Sequence, residues 1–494
     1  MANPIDRLIG WINPQAGLVR HRARKSLERA YEAASPRDGW RPRRAGASAN
    51  ADHQSDAKAL RTKARALVQN VPYIESALET LATDTIGTGI MVRATGAEKD
   101  KINKLFDDWT KVCDADGRLD YYGLISVAYA AMEQDGEVLV RLRPRRPNDG
   151  LPVPLQLQVL EIDWLDSTRM GGYQDNTIIQ GIEYDQLGKV AAYWLWDQHP
   201  GDMVLIRGQK IMSSRVPAQN IIHLFNPRRP GQGRGFTRLA PVITRTRDTQ
   251  LYEDAELGRK NLETRLSVLA SGDLSTMDNP AASGAAAGSG SGGVSELGEL
   301  GGGNIFGMPA GMNFTVVEPK AAPGYVDYIK LQLHIISAAI GVPYEAVTGD
   351  MSEVNFSSAR VRLLAYRRRV QKVQWLILVP MLLRPIHGAF IDAANLAGQI
   401  RSSDKSVDFS MPKWDYVNPE QEVKADTAEI AAGLSTPSEK LRQRGYDPDT
   451  VYAELASDLK KFKELGILDT LLFMQRGNLP TQPQSSTEST SADA

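Results

Sequence analysis

Cysteine is almost missing from this sequence. One thiol, Cys113, stands in 494 residues, so no intrachain disulfide can form. The six histidines (His21, His53, His199, His223, His334, His387) are scattered and make no CxxC or HExxH spacing, which excludes a zinc-held or disulfide-stapled scaffold. An excess of charge is missing too: 58 Lys+Arg against 59 Asp+Glu leave a net charge of -1, which argues against a protein that coats nucleic acid through global basicity. Long apolar runs are absent as well. The best one, 375–383, is broken by Pro380 and followed by Arg384 and Pro385, short of the ~20 residues that a bilayer span needs. The opening MANPIDRLIGWINPQ has no apolar core behind a basic start. The expectation is a soluble protein made in the cytosol, with no membrane partner.

Catalytic signatures are equally scarce. The only Gly-Lys pair, Gly188-Lys189, lacks the Ser/Thr of a P-loop and falls in a hairpin turn. The GQGRG segment at 231–235 fails the dinucleotide pattern because Phe236 takes the third glycine position, and no GxSxG occurs. No catalytic residue, cofactor or metal site is expected, and the chain reads as a non-enzyme.

What is present is length, 42% hydrophobic residues and a segregation of charge. At one domain per ~150 residues the chain could build about three cores. Residues 1–50 hold ten basic and four acidic side chains, whereas 401–494 hold eleven basic and sixteen acidic ones, so the neutral total is a cancellation. The first ~56 residues are rich in Arg, Ala and Pro, with one short helical pattern at 25–34. The last fifteen, 480–494, are almost without apolar residues; both ends are expected to be partly disordered.

From 57 the period becomes helical. Leu60, Ala64, Leu67 and Val68 share one face; after Pro72, Ile74, Ala77, Leu78 and Leu81 repeat it. Two more helices fit 98–112 and 121–134. Between 137 and 225 the period changes to two, with a hairpin turn at 186–189, and predicts an antiparallel β region. The first half is therefore α+β. The second half reads as one long helix over 239–269, roughly 46 Å at 1.5 Å per residue. An Ala/Gly/Ser insert at 280–303 follows, then a helix at 325–340 closed by Gly341 and Pro343, and a third long helix at 357–396.

The most informative charged stretch is ARVRLLAYRRRVQK at 359–372. It places Arg360, Arg362, Arg367, Arg368, Arg369 and Lys372 on one helix with Val361, Leu364, Ala365 and Val370, which predicts an apolar stripe beside a broad basic surface. That surface is either a solvated or subunit-paired face, or a contact for phosphates. A second stripe (Arg245, Arg247, Arg259, Lys260, Arg265) lies on the 239–269 helix. The polar stretch TGDMSEVNFSS at 348–358 reads as a flexible loop, with Asn355 and Ser357 near the start of the Arg-rich helix. Glu253, Asp254 and Glu256 read as a solvated face paired with Arg259 and Lys260 one turn on.

Four blocks in order resemble the portal proteins of tailed bacteriophages, of the lambda-type portal family. They are LRTKARALVQNVPYIESALETLATDTIGTGI (60–90), RVPAQNIIHLFNPRRPGQGRGFTRLAPVITRTRD (215–248), SAAIGVPYEAVTGDMSEVNFSSAR (337–360) and EIAAGLSTPSEKLRQRGYDPDTVY (429–452). The resemblance runs from about residue 61 to 465.

It implies a ring-forming α+β portal fold with mixed α/β wing, long helical stem, small α/β clip and helical crown. The chain would then divide into a basic arm (1–56), wing (57–238), first stem helix (239–270), clip with the Gly/Ser-rich insert (271–322), second stem helix (323–342), channel loop and long wing helix (343–400), C-terminal crown region (401–479) and tail (480–494). The implied partners are further copies in a twelve-fold homo-oligomer, double-stranded DNA passing through the channel without sequence specificity, the terminase large subunit, major capsid and scaffold proteins, and head-completion proteins. The implied place is one capsid vertex of the virion, after assembly in the host cytoplasm. Asn355, Ser357 and the six cations at 360–372 become candidates for the channel wall. Other readings, a different ring-shaped head-tail connector or a DNA-processing enzyme, stay open at this point.

Overall fold

The computed structural model describes residues 46–204, 211–264, 268–271, 313–316, 324–352, 354–415 and 418–467. By its contacts the chain divides into residues 1–55 and 56–494. The first unit enters only as 46–55, which includes the opening turns of helix α1 (Ala49–Asn70). The expected helix at 25–34, the insert at 280–303, the tail at 480–494 and Arg265 lie outside the described residues.

The helical period of the first half is obeyed. Pro72 starts helix α2 (Pro72–Ile86) at a position whose N–H has no intrahelical partner in any case. The predicted face of α2 (Ile74, Ala77, Leu78, Leu81) is buried together with Ala82, Thr85 and Ile86. Strand β1 (Met91–Ala94) follows, then helices α3 (Lys99–Thr110) and α4 (Tyr121–Asp135). The Asp120 side chain caps α4 by accepting from the Gly123 N–H at 2.8 Å.

The β region forms two sheets. In the first, β2 (Glu137–Pro144) lies between β3 (Leu155–Glu161) and β9 (Ile221–Phe225), all antiparallel. The second is a five-stranded meander of β4 (Gly171–Tyr173), β5 (Asn176–Ile179), β6 (Ile182–Tyr184), β7 (Val190–Trp196) and β8 (Ser213–Pro217). The expected hairpin is present, with Ile182 opposite Tyr193 and Asp185 Oδ1 accepting from the Leu187 and Lys189 N–H groups in the turn. Strand β2 is apolar on both faces for a reason. Val138 and Val140 enter the main core, while Leu139 joins Leu160, Ile182, Tyr193, Leu195 and Ile221 in a second cluster toward the meander.

Helix α5 (Ile243–Thr264) is shorter than the expected 239–269. Leu239 is held in a turn by Thr237 Oγ1, and the far end becomes strand β10 (Val268–Ser271), antiparallel to β11 (Asn313–Val316). Helix period and strand period are both compatible with the apolar run at 266–270, and pairing with a distant strand supplies backbone partners that sequence spacing does not reveal. Helix α6 (Tyr325–Ile340) matches its expected bounds and ends where Gly341, at φ 92°, donates to the Ser337 carbonyl. The short helix α7 (Tyr344–Thr348) and a loop lead into α8 (Phe356–Val373).

The helical path expected over 357–396 is continuous but not uniform. Between α8 and α9 (Arg384–Leu396) the ten residues Gln374–Leu383 wind as a π-helix around Pro380. Proline has no N–H and its ring collides with the carbonyl four residues back, and the wider i→i+5 winding makes room for it. The Arg384 N–H accordingly donates to the Val379 carbonyl. Among the described residues, 357–396 is the one helix long and apolar enough to cross a membrane by length and composition. Here its side chains Leu378, Leu382, Leu383, Ile386, Phe390, Ile391 and Ala394 sit in the main core with Phe106, Trp109 and Tyr121.

Strand β12 (Val407–Ser410) pairs with β1, Phe409 opposite Val92, and so closes the core across more than three hundred residues. Helices α10 (Pro419–Ala431), α11 (Pro437–Gln443) and α12 (Pro448–Glu464) follow and bury no residue.

Candidate functional site

The Arg-rich helix α8 is prepared by the loop in front of it. The loop is shorter than expected, because Thr348 closes α7 and Ser357 and Ser358 already belong to the first turn of α8. Asn355 is the N-cap: its Oδ1 accepts from the Ser358 N–H at 2.8 Å. The loop is also tied down, which the sequence does not show. Asp350 accepts from the Ser352 N–H (3.0 Å) and the Tyr344 hydroxyl (3.1 Å) and faces Lys330 Nζ of α6 at 3.4 Å. These partners, Ser352 foremost, hold its carboxyl well below the usual carboxylate range. The Tyr344 ring stacks on His334 of α6 at 3.9 Å.

The six cations of α8 separate by environment. Arg362 pairs with Glu345 of α7. Arg367 donates to the Asp415 carbonyl at 2.7 Å and lies over the Trp414 ring at 5.0 Å, and desolvation lowers its pKa. Arg369 lies beside Gly341, where an added Cβ would come within 3.4 Å of its guanidinium. Arg360, Arg368, Arg369 and Lys372 have no carboxylate within ion-pair distance among the described residues.

The expected split of α8 into an apolar and a basic side is corrected. Tyr366 and Val370 are the buried face, whereas Val361 (68% exposed) and Leu364 (45% exposed) point outward. At 100° per residue Val361 and Leu364 share the outer face with Arg368 and Lys372. An apolar side chain gains nothing in water, so this mixed face has the character of an interface and not of a purely solvated surface.

The second stripe belongs to an antiparallel pair. Arg245 of α5 donates to Gln332 of α6 at 2.6 Å, while Tyr252 stacks on Tyr325 at 5.8 Å and meets Tyr328 edge-on at 4.8 Å. Lys260 lies 5.8 Å from the Tyr325 ring, and Arg259 is paired with Glu256 within its own helix as expected, but Glu256 is buried and not on the solvated face expected for it. Arg247 is exposed. The outer sides of this pair carry Leu251, Leu257, Val326, Leu331 and Ile335, each more than a third exposed.

The GQGRG segment has a structural role. Arg234 Nε and Nη2 donate to the two carboxylate oxygens of Glu137 at 2.8 and 2.7 Å, the Gly235 N–H adds a third bond at 3.0 Å, and His223 Nε2 lies 2.9 Å away. Gly136 and Gly235 let the two backbones touch, since a Cβ on Gly235 would fall 2.0 Å from the Gly136 carbonyl oxygen. This buried knot fixes the turn that launches α5.

Two other groups bear on chemistry. Burial pushes the Cys113 thiol up to about 12, which removes it as a nucleophile near neutral pH. Among the described residues Glu161, Asp163 and His199 form the one group close enough to share a cation. Arg65 already lies 2.8 Å from Asp163 and 3.1 Å from Glu161, so a guanidinium supplies the countercharge. Sequence reasoning passed over Arg141, Arg143 and Arg145, whose signal is the alternation RLRPR at the end of a strand.

The chain is similar to several known proteins. The family model described as "Phage portal protein, lambda family" matches residues 34–374. A probable portal protein of Halomonas phage phiHAP-1 is 28% identical over 440 residues, 85% of this chain and 83% of that protein. Similar solved structures include the neck of a native GTA particle (TM-score 0.43, 15% identity, 80% of this chain and 94% of that one). An HK97 family phage portal protein from Corynebacterium diphtheriae is similar at TM-score 0.32 and 10% identity, over 73% of this chain and 96% of that one.

Proposed function

Because the chain belongs to the lambda family of phage portal proteins, we propose that about twelve copies close into a ring at one capsid vertex, with duplex DNA passing through the bore during packaging and ejection. The observation that carries this reading is the set of apolar side chains left bare on one copy: Leu251, Leu257, Val326, Leu331 and Ile335 on α5 and α6, Val361 and Leu364 on α8, and Trp375 and Leu376 on the π-helix. Their burial between neighbours offsets the cost of ordering twelve chains.

In this arrangement 57–238 is the wing, α5 and α6 are the stem, 271–322 is the clip and 401–479 the crown. The loop before α8, with the N-cap Asn355, and Ser357 in the first turn of the helix narrow the bore. The clip receives the terminase large subunit and later the head-completion proteins, and the wing rim meets capsid and scaffold proteins. The ring assembles in the host cytoplasm and remains in the virion. It does no covalent chemistry, because the motor that hydrolyses ATP is a separate protein. The bore needs to attract DNA only weakly: each neutralised phosphate releases counterions and adds to the salt-dependent hold, so a wall of unbroken arginine would stall the duplex. Four cations per copy without an ion pair among the described residues, Arg360, Arg368, Arg369 and Lys372, become four rings of charge in a near-neutral assembly.

The test is light scattering with negative-stain imaging of the purified chain. A particle of about twelve subunits with a central hole is expected, and Leu331→Asp with Ile335→Asp should reduce it to smaller species. A wild-type chain that stays monomeric at every concentration and salt would defeat the proposal.

A further inference from the structure

The flank of the β3–β2–β9 sheet offers a row of cations apart from those of α5 and α8. Strand alternation puts Arg141 and Arg143 on one face of β2, and Arg145 continues the row just past its end. At ~3.4 Å per residue the three recur about every 6.8 Å. The facing strand contributes neutral amides in register, Gln158 opposite Arg141 and Gln156 opposite Arg143.

These glutamines aim the arginines. Arg143 Nη1 donates to Gln158 Oε1 at 2.7 Å and Arg145 Nε to Gln156 Oε1 at 2.8 Å. The amides are themselves held: Gln156 Nε2 donates to the Val112 and Asp114 carbonyls, and Gln158 Nε2 lies 3.4 Å from Asp116 Oδ1. Arg143 and Arg145 each spend one of their five N–H donors on this support. Among the described residues none of the three has a carboxylate within ion-pair distance. The nearby acids are engaged elsewhere or stand off: Asp114 accepts from the backbone N–H groups of Asp116, Arg118 and Leu119, and Asp197 acts on Arg141 only through space. Burial and the neighbouring Arg143 both lower the Arg141 pKa, as expected for like charges held close. Elsewhere in the same β region arginines are matched, Arg215 with Glu183 and Arg234 with Glu137.

We propose that this row is a docking surface for an extended acidic peptide segment of a protein partner. Carboxylates at alternate positions of an extended chain recur with the same period as the arginines, so three can meet three guanidiniums in register, each through charge-assisted bonds. Duplex DNA is the less suitable polyanion, because its phosphates wind around a convex rod whereas this row is straight and lies on a sheet.

The test uses the full-length protein and fluorescence anisotropy with a labelled peptide of alternating glutamate and serine, and in parallel a short labelled DNA duplex. The expected result is peptide binding that weakens with salt. Combined Arg141→Gln, Arg143→Gln and Arg145→Gln should weaken it by about tenfold or more, and the matching lysine substitutions by less, since they keep the charge and lose the fork. If circular dichroism shows the triple variant misfolded, Arg143→Gln and Gln158→Ala are read singly, and either should weaken binding. No peptide binding, binding unchanged in these variants, or a preference for the duplex that depends on the same arginines would overturn the proposal.

Discussion

Arg234 and Arg368 bear the same group and live under opposite rules. Arg234 is 3% exposed and meets a Glu137 carboxylate that is itself fully buried, with Gly235 and His223 completing the carboxylate's partners. Arg368 stands on the outer face of α8 beside Val361 and Leu364. The buried charge pair is held by a set of partners that offsets its loss of water, whereas Arg368 stays at the surface, where another molecule can reach it.

The sharpest way to break that distinction is to remove one member of the buried pair. Arg234→Met should destabilise the fold by about 3–5 kcal/mol, because it strands the Glu137 carboxylate away from water. Urea unfolding followed by circular dichroism reads this as a lower midpoint with an unchanged slope. A loss below about 1 kcal/mol would mean that the knot at 136–137 and 234–235 does not hold strand β2 to the turn before α5.

His387 is the intermediate case, a basic group in the core without a partner. It is 2% exposed, packs against Phe106 and Phe390, and has no hydrogen bond at either ring nitrogen. Burial, with Lys405 adding to it, pushes its pKa down to about 4. An unfolded histidine titrates near 6.5, so the unfolded chain binds this proton first as pH falls. Stability is therefore intact above about pH 6.5 and declines toward pH 4, by roughly 3 kcal/mol in all. His387→Leu should flatten that part of the pH–stability curve; parallel curves for wild type and variant would show that the core takes up the proton at little cost.

Much of this was legible in the sequence, and the misses have physical causes. Period and punctuation located α2, α4, α6 and the hairpin at β6–β7, because each buries one regular face and ends at a proline, glycine or cap. The same reasoning ran α5 on to 269, since the apolar run at 266–270 satisfies both periods and its strand partner lies more than forty residues on. It grouped Val361 and Leu364 with Val370 in one apolar stripe, and a single sequence does not say which apolar residues of a helix are covered: Tyr366 and Val370 are, whereas Val361 and Leu364 are exposed. The Glu137–Arg234 knot was invisible, as its members are 97 residues apart. The candidate channel cations were correctly grouped on one helix, yet their division into tied and untied members depends on Glu345, Trp414 and Asp415, which no spacing rule connects to α8.

The smallest effects are expected within α8 itself, where adjacent arginines differ only in what they touch. Arg367→Ala gives up the bond to the Asp415 carbonyl and the contact with Trp414, and should cost about 1 kcal/mol. Arg368 touches neither an acid nor a ring among the described residues, so Arg368→Ala should change unfolding by less than about 0.5 kcal/mol. Its effect should surface only in the assembled particle. There, Arg368→Ala with Lys372→Ala should make DNA retention less sensitive to salt, since fewer phosphates lose their counterions to the wall. If Arg368→Ala instead destabilised the isolated chain as much as Arg367→Ala, Arg368 would be part of the fold, and too few free cations would remain on α8 to line a channel.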